Sequence, residues 1–414
     1  MTTTIVELPP SKSELNRLLT LCKLYGGKMP SIGEQYPDDV KLLYKNLANT
    51  RRETCYCDNA GTVARFLTAL MATDDNISLP KIVTGSDRLL LRPISNLVDA
   101  LCTLGANIEY IDKPCHLPIK IISGTDKNQN CITFEKPESS QFVSAMMMIA
   151  PKFTNGLTIN IKAIPSFTYV EMTSRMMNKI GLKNHLHDDK IVVEKEPDIV
   201  DFDAFMVEKD WSSAVYVYPC VFIDKVNEIL LRSLHKGSMQ GDEVICRIME
   251  QVGITSRDTP AGIVIGANAQ TQICKKTVEV DVRNTPDIMP ALATISILSG
   301  CDFVIHGLEN LKYKESNRVK GITENFDILG TDYRLVGDNT LYINALGAIN
   351  KIKTLSHRCE LKTMHDHRMA MALHYLSYLN NNIVIDDYRC ISKSFPDFLS
   401  QVASHISGNK LWSV

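Results

Sequence analysis

The sequence predicts a mixed α/β protein of two domains, with an internal duplication. Three observations carry that reading. At 414 residues the chain is too long for one small core, so two domains are the natural division. Apolar segments of helical period alternate with short stretches of alternating polarity that read as strand. A helix–glycine–strand phrase also recurs roughly every 75 residues, a long-period repeat.

The phrase is written "LVDALCTLGANIEYI", "MTSRMMNKIGLKNHL", "ICRIMEQVGITS" and "ITENFDILGTDYRLV", with the helix ending at Gly105, Gly181, Gly253 and Gly330. Glycine suits that position because it enters the left-handed region without a Cβ penalty. Gly26, closing "NRLLTLCKLYG", fits a first unit. After each glycine an alternating stretch such as "ANIEYI" or "TDYRLV" reads as strand, so each unit holds two helices and several strands.

Composition narrows the function classes. With 44% hydrophobic and 22% charged residues, neither disorder nor a fibre is indicated. A net charge of -2 argues against a generally basic nucleic-acid surface, though not against a local basic pocket. "MTTTIVELPP" has no basic n-region and reads as no signal peptide, and runs such as "IMPALATISIL" are shorter than a bilayer span. The twelve cysteines are scattered, which favours reduced thiols in the cytoplasm. Cys55 and Cys57 have no second pair at zinc spacing, and His365 and His367 have no third ligand, so no metal site is expected.

Six helices open polar and turn apolar: "SKSELNRLLTL", "NAGTVARFLTALMA", "SSQFVSAMMMIA", "TPDIMPALATISIL", "KESNRVKGITENF" and "DHRMAMALHYL". A helix start has free N–H groups and the positive end of the macrodipole, so it favours anions. One such start is merely a good cap, as Ser13 or Asp287 could be; six suggest a shared purpose. Lys12, Arg17, Lys314, Arg318 and Arg368 lie in or beside these starts, with Arg92 and Lys393 in short loops before prolines. Such cations suit a ligand carrying several phosphate or carboxylate groups. Asp287 and Glu315 add acids that this setting keeps ionised unless burial opposes it. Taken without other context, Glu315 and Arg318 at i, i+3 read as a surface ion pair of small value.

"PSKSELNR", "NAGT", "LRPI", "SSQF", "TPD", "KESNR", "DHRMAMAL" and "SKSFPDF" stand in the order found in the EPSP synthase family, the 3-phosphoshikimate 1-carboxyvinyltransferases. The resemblance runs from about Leu8 to Phe398. It implies an inside-out α/β barrel architecture with three βαβαββ copies in each domain and the active site in the interdomain cleft. The domains would be 11–206 and 207–414, the second completed by 1–10. The implied reaction moves the enolpyruvyl group of phosphoenolpyruvate to the 5-hydroxyl of 3-phosphoshikimate, through a tetrahedral adduct and without a metal or other cofactor. The implied partners are these two small molecules only, with no nucleic acid and no membrane, and the chain is expected to be monomeric.

Roles follow residue by residue from the resemblance. Lys12 would touch both substrates, and Ser13, Arg17, Ser139, Ser140, Ser166, Tyr169, Asn310 and Lys314 would hold 3-phosphoshikimate. Gly61, Arg92, Arg318, His367, Arg368 and Lys393 would hold phosphoenolpyruvate, and Gln141 would span both ligands. Asp287 would take the proton of the 5-hydroxyl, and Glu315 or Lys12 would deliver one to the methylene carbon. Asp366 is placed to cap its helix.

The chain departs from the family pattern at Pro10, where glycine is usual, and at Phe66, where proline is common. Roughly one strand pair is missing between "DDVKLLYKNL" and "NAGT", which suggests a trimmed first repeat. Two rival readings are the sister transferase acting on UDP-N-acetylglucosamine and a non-catalytic relative that only binds ligand. The first relies on a loop cysteine in a Gly- and Arg-rich context that Cys115 in "DKPCHLPIK" lacks. Retention of Lys12, Asp287, Glu315 and Arg368 together argues against the second.

Overall fold

A computed structural model describes residues 4–223, 228–267 and 277–403. The chain divides into two units, one of residues 11–208 and one of residues 1–10 with 209–414. Parallel strand pairs need a crossover, usually helical, whereas antiparallel neighbours can be joined by a hairpin. One pattern combining the two recurs in both units.

The strands, in chain order, begin with β1 Thr4–Val6. In the 11–208 unit follow β2 Thr54–Tyr56, β3 Lys81–Thr84, β4 Asn107–Tyr110 and β5 Ile119–Ser123. They form a sheet ordered β2-β3-β5-β4, the first pair parallel and the rest antiparallel. β6 Cys131–Phe134, β7 Leu157–Ile161, β8 Asn184–Leu186 and β9 Lys190–Val193 repeat this order as β6-β7-β9-β8. In the other unit come β10 Ile229–Arg232, β11 Ile254–Thr259, β12 Gly262–Ala267, β13 Val278–Asp281, β14 Phe303–His306, β15 Asp332–Val336 and β16 Thr340–Asn344. They give β13-β14-β16-β15 and β1-β10-β12-β11, so the N-terminal strand completes a sheet of the later unit.

Two copies are reduced, against the expectation of three βαβαββ copies per domain. Between Ser11 and β2 stand only the helices Lys12–Tyr25 and Asp38–Ala48, with no strand among the described residues. The trimming read from the sequence is therefore deeper than one strand pair. Among the described residues the last copy keeps only a parallel pair, β17 Cys359–Leu361 and β18 Ile383–Ile385. Gly26, Gly105, Gly181, Gly253 and Gly330 all have positive φ, from 65° to 94°, as helix-ending glycines require.

Several helices are buried along nearly their whole length. All eleven residues of Met289–Ser299 are buried, as are all eight of His367–His374. In Gly61–Met71 only Thr62, and in Ser140–Ile149 only Gln141, escapes full burial. A helix apolar on every side has to sit in the interior, which leaves its first turn as the place for polar groups. The repeat and the polar helix starts are thus two sides of one design. No helix among the described residues is long and apolar enough to cross a membrane. No disulfide forms among them either.

Candidate active site

In the 11–208 unit the helix Lys12–Tyr25 starts at Ser11, whose hydroxyl accepts from the Glu14 N–H. Ser11 is therefore the cap, and Ser13, the expected alternative, lies within the first turn. Lys12 is buried, with Nζ 3.2 Å from Asp39 Oδ2. Asp39 sits in the first turn of the helix Asp38–Ala48, where an acid is favoured.

Arg17 ties three helices together. Its Nε donates to Thr173 Oγ1 at 2.7 Å, its Nη1 to the Ser13 carbonyl at 2.9 Å, and its Nη2 to Ser144 Oγ and the Tyr169 carbonyl, each at 3.2 Å. The guanidinium also lies 5.5 Å from the Phe66 ring centre and 5.9 Å from that of Tyr169. These four bonds engage four of the five N–H donors of a guanidinium. Burial lowers the Arg17 pKa to about 10, against the pull of Tyr169 and Glu14, so it stays charged near neutrality. Phe66, a departure from the family pattern, is thus an aromatic wall for Arg17.

Gly61 and Arg92 are adjacent: a Cβ on Gly61 would lie 2.7 Å from Arg92 Nη1. This close approach is what glycine permits. Ser139 caps the helix Ser140–Ile149 by accepting from the Gln141 N–H at 3.2 Å, and Ser140 is buried behind it. Gln141 Nε2 donates to Thr62 Oγ1 at 2.8 Å, and its Oε1 accepts from Arg65 Nη1. Ser166 is buried at a left-handed φ of 56°, a strained position for a residue with a side chain. Tyr169 lies on the following helix, Thr168–Lys179.

In the other unit Asp287 lies in the short turn Pro286–Ile288 ahead of the helix Met289–Ser299. It does not act as the N-cap: Thr285 holds that position and the Asp287 carboxylate turns to cations. Asp287 Oδ1 is 2.8 Å from Arg318 Nη1 and 3.6 Å from Lys314 Nζ, while Oδ2 is 3.4 Å from Arg368 Nη2. Burial alone would raise this carboxyl, but Lys314, Arg318 and Arg368 outweigh it and hold it well below the usual carboxylate range.

Arg318 is fully buried, not a surface partner as its spacing from Glu315 suggests. It donates through Nε to Asp366 Oδ2 and through Nη2 to Glu315 Oε2, each at 2.9 Å, in addition to Asp287. Asp366 caps the helix His367–His374 through the Arg368 N–H, as expected, and also accepts from Ser316 Oγ at 2.9 Å. Three carboxylates thus face Lys314, Arg318 and Arg368, where sequence reading had given weight chiefly to cations. Arg368 further donates to the Ser212 carbonyl at 2.9 Å and lies 5.4 Å from the Tyr216 ring centre. His367 is buried, with Nδ1 3.6 Å from Asp366. Asn310 is half-buried at the start of the turn Leu311–Tyr313, and Lys393 is half-buried at the end of Arg389–Lys393.

No group of three or more potential metal-ligating side chains is found among the described residues. His365 is exposed and turned to Asp387, whereas His367 is buried. Residues not singled out from sequence are Asp39, Arg65, Asp242 and Ser212. Arg65 had a readable signal, lying four residues after Gly61 on one helix face. Asp39 had none, because only folding brings it to Lys12.

A family model described as EPSP synthase (3-phosphoshikimate 1-carboxyvinyltransferase) matches residues 3–402. The 3-phosphoshikimate 1-carboxyvinyltransferase of Bacteroides fragilis is 31% identical over 395 residues, covering 95% of this chain and 93% of its own. The enzyme of that name from Colwellia psychrerythraea is 28% identical over 423 residues, covering 96% and 95%. Among solved structures, EPSP synthase from Acinetobacter baumannii superposes with a TM-score of 0.73 at 18% identity, covering 97% of this chain and 96% of that one. That last likeness shows the fold alone. The ordered motifs, the recurring four-stranded sheets and a match spanning nearly the whole sequence agree, and the chain belongs to the EPSP synthase (3-phosphoshikimate 1-carboxyvinyltransferase) family.

Proposed function

We propose that the chain transfers the enolpyruvyl group of phosphoenolpyruvate to the 5-hydroxyl of 3-phosphoshikimate and releases phosphate. The observation that carries this reading is Asp287, a half-buried carboxylate kept ionised by Lys314, Arg318 and Arg368. Such a group can accept a hydroxyl proton as the oxygen attacks C2 of phosphoenolpyruvate. A second proton goes to the methylene carbon from Glu315 or Lys12, giving the tetrahedral adduct. Removal of a methyl proton and departure of phosphate then form the enol ether.

The remaining roles are binding. Lys12, Gly61, Arg92, Gln141, Arg318, His367, Arg368 and Lys393 are assigned to phosphoenolpyruvate. Ser13, Arg17, Ser139, Ser140, Ser166, Tyr169, Asn310 and Lys314 are assigned to 3-phosphoshikimate, which Lys12, Gln141 and Asp287 also meet. Preorganised cations at a developing charge stabilise the adduct and the leaving phosphate. We read 11–206 and 207–414 with 1–10 as the two enolpyruvyl-transferase domains, acting as a cytoplasmic monomer in aromatic amino acid biosynthesis. Glyphosate is expected to compete with phosphoenolpyruvate beside Gly61; inhibition unaffected by raising phosphoenolpyruvate would count against that.

The test is phosphate release from phosphoenolpyruvate with 3-phosphoshikimate, beside UDP-N-acetylglucosamine as the competing acceptor. Turnover is expected only with the first. Turnover only with the second would transfer the reading to the sister activity, and none with either would leave a ligand-binding relative.

A further inference from the structure

Arg65 belongs to no role so far, yet it is one of the most deeply buried cations of the 11–208 unit, 4% exposed. Lying four residues after Gly61, it shares that residue's helix face, and long helical side chains lean toward the N-terminus. Its guanidinium therefore reaches back over the first turn, where Gly61 and Thr62 sit. There it grips two carbonyl oxygens: Nη1 donates to Gln141 Oε1 and Nη2 to the Pro93 carbonyl at 3.3 Å. Its plane is steadied by the Phe142 ring, centred 4.9 Å from Cζ.

Both grips bear on groups assigned to phosphoenolpyruvate. Pro93 directly follows Arg92, so the grip on its carbonyl fixes the loop that carries that side chain. The other grip concerns the Gln141 amide, which has an accepting end and a donating end. A guanidinium can only donate, so Arg65 takes the amide oxygen and leaves the NH2 group on the Thr62 side, donating to Oγ1 at 2.8 Å. Phosphate and carboxylate oxygens accept hydrogen bonds, so an amide serves such a ligand only through its NH2 end.

We propose that Arg65 is a positioning residue of the phosphoenolpyruvate site, locking the Gln141 amide in its donating orientation and holding the Arg92 loop by the Pro93 carbonyl. The proposal rests on the function proposed above. A lysine at 65 keeps the charge but has no fork with which to hold two carbonyls, and it frees the amide to turn its oxygen to the ligand.

The test uses the full chain as wild type, R65K and Q141E. R65K is expected to raise KM for phosphoenolpyruvate roughly tenfold, the loss of about one charge-assisted hydrogen bond. KM for 3-phosphoshikimate, which Gln141 also meets but which does not depend on the Arg92 loop, should rise clearly less, and the melting temperature should stay near wild type. Q141E retains a partner for Arg65 but lacks the NH2 donor, so it should match R65K, and the double variant should fall short of the product of the two. An unchanged phosphoenolpyruvate KM in R65K, or an equal rise for both substrates, would overturn the proposal.

A substrate-free readout separates this from the function itself. The Gln141 side-chain NH2 signals, identified by their absence in Q141E, should shift and exchange faster in R65K. If they do not move, the locking role is wrong whatever the enzyme turns over. A wild type inactive on both substrates, with those signals still moving, would refute the proposed reaction and leave the Arg65–Gln141 lock standing.

Discussion

The two units hold their buried arginines in different ways. In the 11–208 unit Arg17 and Arg65 are held by neutral oxygens: hydroxyls, backbone carbonyls and one side-chain amide. In the other unit Arg318 and Arg368 face carboxylates, with Asp287 shared between them and Asp366 and Glu315 added on Arg318. The consequence is visible in their ionisation. Burial lowers Arg17, whereas Arg318 and Arg368 are raised because their acidic neighbours outweigh burial. Neutral partners leave a cation its full attraction for an incoming anion. Carboxylate partners use that attraction to keep an acid ionised.

The largest effect should come from the shared carboxylate. D287N keeps the shape of the side chain but cannot accept the hydroxyl proton, and kcat for phosphate release should fall about 10²–10⁴-fold. A loss under tenfold would remove Asp287 as the base. Next, D366N takes one charge from a buried network and leaves Arg318 undercompensated, at a cost of about 3–5 kcal/mol in denaturant unfolding. R17M removes a buried cation whose hydrogen-bond partners are all neutral oxygens, so about 1–3 kcal/mol is expected. If R17M proved as destabilising as D366N, the contrast between the units would fail.

G61A places a Cβ against the end of the Arg92 side chain, which can shift, so a modest rise in KM for phosphoenolpyruvate is expected. The pH-dependent effect concerns Asp242, which accepts from Ser212 Oγ at 2.5 Å. Burial, aided by Asp287 and opposed by Ser212 and Arg368, pushes this carboxyl up to about 7 from an ordinary 3.8. Between those pH values the folded chain retains a proton that the unfolded chain has lost. Its contribution to stability therefore declines as pH rises through that window. Asp287, shifted down, behaves oppositely: its contribution is complete above the ordinary carboxylate range and is lost only at lower pH. In thermal unfolding from pH 4 to 7, the stability of wild type relative to D242N should therefore fall as pH rises.

Much of this was legible in the chain. Helix-ending glycines need a backbone that other residues avoid, and an apolar helix with a polar first turn has only one end on which to carry ligands. Lys12, Asp287, Glu315 and Arg318 were found by such local signals together with the ordered motifs. Helix caps were less well read, because Ser11 and Ser13, or Thr285 and Asp287, are equally plausible in sequence and differ only in where the helix turns.

By itself, then, the sequence determined the mixed α/β class, the duplication, the six polar helix starts and the family, since each depends on residues close together in the chain. Only the tertiary structure decided which charges meet. Asp39 reaches Lys12 across 27 residues, Arg65 reaches Gln141 across 76, and Asp366 reaches Arg318 across 48. Local spacing cannot encode such pairs, because the energy of a buried charge depends on what folding places beside it and on the water it removes.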